Sequence, residues 1–120
     1  MRMADGGWVW EGQGLNPGVH PSIFGVGEGA EYFGLRRVHF MFHPLTEVAM
    51  RKLAHLDEVV CDISKWGFRD TERGGSESYV DARIETVCTE AERVSRLSRK
   101  HPNVTGALFD DMKGLLTREG

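Results

Sequence analysis

The chain has 120 residues, a length suited to one domain with a modest core. Its 15 Lys and Arg against 18 Asp and Glu give a formal net charge of −3, and the cations form no concentrated stripe, which argues against a nucleic-acid surface. No apolar run approaches the roughly 20 residues needed to cross a bilayer, and MRMADGG lacks the apolar core of a secretory signal, so a cytoplasmic protein without a membrane partner is expected.

The first apolar run, Trp8 to Glu11 (WVWE), is read as a strand. Gly12 to Gly29, rich in glycine and holding Pro17 and Pro21, has the composition of a long loop. Its GVGEGA stretch (Gly25 to Ala30) follows the loose dinucleotide pattern, but no adequate strand precedes it and no suitable acid follows, so no cofactor is assigned. A short helix is expected from Glu28 to Leu35, turning over at Gly34.

A second strand spans Arg37 to His43 (RVHFMFH), where Val38, Phe40 and Phe42 alternate with His39, Met41 and His43. Pro44 suits a first helical turn, and Leu45, Ala49, Leu53 and Leu56 recur at helical spacing, so Pro44 to His55 is predicted helical. The third strand, Glu58 to Ser64 (EVVCDIS), embeds Asp62 among apolar residues; the polar stretch Lys65 to Glu77 then reads as a second long loop.

Val80, Ile84, Val87, Ala91 and Val94 predict a helix over Ser78 to Lys100, with Ser78 and Asp81 as a capping box. Arg93, Arg96, Arg99 and Lys100 fall where cations oppose the negative end of the dipole, and His101 and Pro102 end the helix. The fourth strand covers Val104 to Asp111 (VTGALFDD), and Leu115 with Leu116 begins a further helix. Cys61 and Cys88 make neither a disulfide framework nor a metal-ligand spacing and are read as buried thiols.

Strand and helix alternating in this order imply an α/β fold of parallel βα repeats. The architecture expected is four strands of a β/α barrel, with a small doubly wound parallel sheet as the alternative. Polar residues along one strand face, and long loops placed only after strands, favour the barrel. Residues 1–120 then form a single α/β domain. Because a full barrel has eight strands, this domain is expected to be the N-terminal part of a longer barrel, or else to form a homodimer through exposed strand edges.

Strand parity decides which side chains can meet. Glu11, His43, Asp62 and one of Asp110 and Asp111 are expected at the carboxyl-end rim, where catalytic groups of barrels gather. Paired carboxylates can act as acid and nucleophile or base on a glycoside, and with a histidine they can also hold a divalent metal. Trp10 and Trp66 offer indole faces to a sugar ring.

CDISKW (Cys61 to Trp66) and VTGALFDDM (Val104 to Met112) resemble the third and fourth strands of carbohydrate-active TIM barrels of the glycoside-hydrolase type. The resemblance implies a carbohydrate or other small polar ligand and catalytic roles for Asp111, Asp110, Asp62 and Glu11, with Trp66, Trp10 and His43 binding substrate. Two alternatives stand beside it: a metal-dependent sugar isomerase or hydrolase, and a non-catalytic α/β binding module using Trp66 and the long loops.

Overall fold

The computed structural model describes residues 3–11, 25–41 and 43–110. Four strands, β1 (Val9–Trp10), β2 (Arg37–Phe40), β3 (Glu58–Asp62) and β6 (Val104–Leu108), form a parallel sheet in the order β1-β2-β3-β6. β4 (Lys65–Asp70) and β5 (Ser76–Asp81) form a separate antiparallel hairpin within the β3-to-β6 connection. Besides the four-residue turn α1 (Met3–Gly6), the helices are α2 (Val26–Phe33), α3 (Glu47–Lys52) and α4 (Ile84–Lys100).

The strand order runs without reversal, so the switch point of a doubly wound sheet does not occur among the described strands. All three longer helices lie on one sheet face. Val26 and Ala30 of α2, Met50 of α3 with Leu53 and Leu56 after it, and Val94 and Leu97 of α4 share one core with Val38, Phe40, Val59, Cys61 and Val104. Alternation sends Arg37, His39, Glu58 and Val60 to the opposite face, where Arg37 Nε and Glu58 Oε2 pair at 2.7 Å. Trp8 stacks on His39 there, with centroids 4.9 Å apart.

Local chemistry sets the helix ends. α2 stops at Gly34, whose left-handed φ of 68° suits glycine, as its position predicts. α3 begins later than predicted, with Pro44 before the helix rather than in its first turn, because Thr46 caps it: Thr46 Oγ1 accepts a 3.1 Å bond from the Ala49 amide. Its last turn is closed by Asn103, whose Nδ2 donates to the Leu53 and Leu56 carbonyls at 2.9 and 3.1 Å.

The largest departure from the sequence reading is Lys65 to Glu77, a hairpin rather than a loop. Gly74, with φ 80°, and the Thr71 hydroxyl, which accepts from the Gly75 amide at 3.1 Å, make the turn. Gly67 lets the Tyr79 ring lie across it, since a Cβ there would fall 2.7 Å from that ring and displace it. Because Ser76 to Asp81 pair in β5, the predicted Ser78–Asp81 capping box does not form. Asp81 instead accepts from the Arg83 amide at 3.1 Å and from Thr86 Oγ1 at 2.9 Å, and α4 starts at Ile84. The Arg83 guanidinium beside it holds the Asp81 carboxyl well below the usual carboxylate range.

The two thiols differ. Cys61 is fully buried, and burial followed by the neighbouring Asp62 charge pushes its thiol up to about 11, whereas Cys88 on α4 is exposed, correcting the expectation for that residue. A thiol reagent at pH 8 should therefore modify one cysteine rapidly in the folded protein and the second only in denaturant; rapid loss of both would contradict the packing of Cys61. Asn103→Ala leaves the carbonyls of Leu53, at the end of α3, and Leu56, in the turn after it, without this donor and should lower unfolding free energy by about 1–3 kcal/mol in urea titration.

Candidate functional site

β3 delivers Asp62 to its carboxyl end, and β6 delivers Asp110 two residues beyond its own. The two strand ends are stitched together by hydrogen bonds. The Ile63 amide donates to the Leu108 carbonyl at 2.9 Å, the Ser64 amide to Asp62 Oδ1 at 2.8 Å, and the Asp110 amide to Ser64 Oγ at 2.6 Å. Ser64, with no role assigned from sequence, is the link between the aspartates. Its signal is the i to i+2 spacing of Asp62 and Ser64, the pattern of an Asx turn.

Asp62 is 9 % exposed, the one buried charged residue among the core residues described. Burial pushes its carboxyl up; the Ser64 hydroxyl and amide pull it back, and the Asp110 charge adds to the upward shift. A carboxyl that keeps its proton to higher pH, beside a second carboxylate at the end of the adjacent strand, is an arrangement suited to proton transfer.

The predicted rim residues separate into two groups. Asp62 and Asp110 interact electrostatically, whereas Glu11 and His43 pair with each other, His43 Nε2 lying 3.6 Å from Glu11 Oε2. The reason is parity: Val9 packs toward the helices, so Glu11, two residues on, leaves the strand on the helix side rather than over the open face. Asp111 lies outside the described residues, as do Phe42, most of the Gly12 to Gly29 stretch, and Leu115 and Leu116.

Trp10 pairs in register with His39, opposite in direction to Val9, and remains 54 % exposed. Trp66 is half-buried in β4, paired in register with Val80. The hairpin that carries it is tied to α4 by Lys65 Nζ, 3.4 Å from Glu90 Oε1. Among the described residues no three His, Cys, Asp or Glu side chains gather closely enough to hold a metal ion. No described helix is long and apolar enough to cross a membrane.

Comparison with protein-family models, with curated proteins and with solved structures finds no match to this chain.

The raised Asp62 carboxyl makes a stability prediction of definite sign. Between the unfolded aspartate value near 3.8 and the higher folded value, the native state binds the extra proton, so this residue's contribution to stability falls as pH rises through that window. Asp62→Asn keeps an oxygen for the Ser64 amide and removes the titration. Urea melts from pH 3 to 7 should show the variant gaining stability relative to wild type as pH rises; a difference that moves the other way contradicts burial as the dominant influence.

Proposed function

We propose that this chain forms four βα repeats of a β/α barrel acting on a carbohydrate, with glycoside-hydrolase-type chemistry at Asp62 and Asp110. The observation that carries the reading is the burial of Asp62 beside Asp110 at the carboxyl ends of adjacent parallel strands. Unreversed strand order with the described helices on one face supports this reading, because a barrel wall is wound that way, and in barrels the carboxyl-end rim holds the chemistry. Four further strands complete such a wall; a second copy, paired through the β1 and β6 edges, supplies that number.

In this reading Asp62 is the general acid, giving its proton to the glycosidic oxygen as the bond from the anomeric carbon to that oxygen breaks. The second carboxylate, Asp110 or Asp111, either attacks the anomeric carbon or takes a proton from the water that does. Trp10, exposed on the helix-free face, and Trp66 at the rim supply stacking surfaces for sugar rings. Glu11 and His43, on the helix side, take no part in this step.

The test is turnover of aryl glycosides with leaving groups of graded acidity by the full chain. Asp62→Asn should cost about 10²–10⁴-fold for the poorest leaving group and progressively less as the phenol becomes more acidic, because an acidic phenol leaves without a proton. An equal loss across the series contradicts the acid role. Saturable quenching of tryptophan fluorescence by oligosaccharides with no cleavage would favour the binding module, and loss of turnover on chelation would favour the metal-dependent alternative.

A further inference from the structure

A cavity of about 330 Å³ opens on the helix side of the rim, between the start of α2, the end of β2 and α3. This volume lies at the lower end of the range for small-molecule sites. Val26, Phe40, Ala49 and Leu53 supply apolar lining, and Glu11 and His43 supply polar lining. The Phe40 ring stacks on the His43 imidazole, with centroids 5.8 Å apart and planes inclined by 25°.

Glu11 Oε2 is buried and accepts no hydrogen bond from the described residues. At 3.6 Å, His43 Nε2 is too distant to serve as its donor. A buried carboxylate oxygen without a donor is costly, and the cost falls if a ligand brings one. The cavity does not suit an anion. The α2 amino terminus is already occupied by the protein's own carboxylate, since the Gly25 amide donates to Glu28 Oε2 at 2.8 Å, and two lining carboxylates face one lining ammonium, Lys52. With Glu28 engaged by the Gly25 amide, Glu11 and His43 alone among the described lining residues fall short of the three or four ligands of a zinc site.

We infer that this cavity binds a small organic amine, its ammonium donating to Glu11 Oε2 and its apolar body lying against Phe40, Ala49 and Leu53. An ammonium has three donors, so it can also reach His43 Nε2 when the other ring nitrogen carries the proton. This site is distinct from the Asp62–Asp110 pair and does not depend on the carbohydrate reading.

Benzylamine is the probe, with benzoate as the anionic counterpart of similar shape, in amide-resolved NMR titrations of the full chain. Benzylamine should give saturable shifts at Val26, Ala49 and Leu53, benzoate none, and Glu11→Gln should weaken benzylamine at least tenfold. Ala49→Leu, which fills the cavity while Glu11 is unchanged, should abolish saturation in a protein with a native spectrum and decides the matter if Glu11→Gln does not fold. Absence of saturable shifts, equal affinity for benzoate, or full binding by either folded variant overturns the site. No sugar or turnover enters the readout, so its failure leaves the carbohydrate proposal separately testable.

Discussion

Packing of α2, α3 and α4 against a single face of the parallel sheet is the contact on which the rest of the structure depends. Val38, Phe40, Val59, Cys61 and Val104 are buried in it, and their parity sends every intervening residue of β2 and β3 to the other side. That side holds an Arg37–Glu58 ion pair, a Trp8–His39 stack and the exposed Trp10. Among the described residues the helices cover one face only, and a sheet covered in that way does not need apolar residues on both faces, which is why these strands tolerate so many polar ones. The same one-sided cover leaves the carboxyl ends of β3 and β6 adjacent, with Asp62 and Asp110 on them.

Burying Asp62 opposes folding wherever that carboxyl must ionise, and the local structure offsets the cost only in part. The Ser64 amide and hydroxyl act on it favourably, while the Asp110 charge acts against it. Its own charge in turn helps keep the Cys61 thiol protonated. Groups in such conflict with the packing around them are characteristic of sites that move protons, because a catalytic acid must hold its proton nearer to neutral pH than a solvated aspartate does. The hydrogen bonds that join Ser64 to both strand ends hold the two acids in fixed relation.

Much of the sheet was legible in the chain. The alternation over Arg37 to His43 is realised as the shorter β2, Arg37–Phe40, and the apolar run over Glu58 to Ser64 as β3, Glu58–Asp62, while Gly34 ends α2 by the left-handed conformation its position implies. The hairpin was not legible by composition, because Arg69, Asp70, Glu72, Arg73 and two glycines resemble a solvated loop; its period-two flanks, KWGFRD and SESYVD, were the overlooked signal. Predicting α4 six residues early has the same origin, since Val80 fits the helical stripe but is used in β5. The side to which Glu11 departs was not legible either, because a strand as short as Val9–Trp10 gives no pattern from which to decide it.

The most direct test is the pH titration of the Asp62 carboxyl, followed by carbon NMR in the folded protein and in Asp110→Asn. The expected midpoint lies above the ordinary aspartate value of 3.8 and moves down when the Asp110 charge is removed. A midpoint at or below 3.8 would show that the Ser64 hydrogen bonds outweigh burial and would leave Asp62 without the property on which the acid role proposed for it rests.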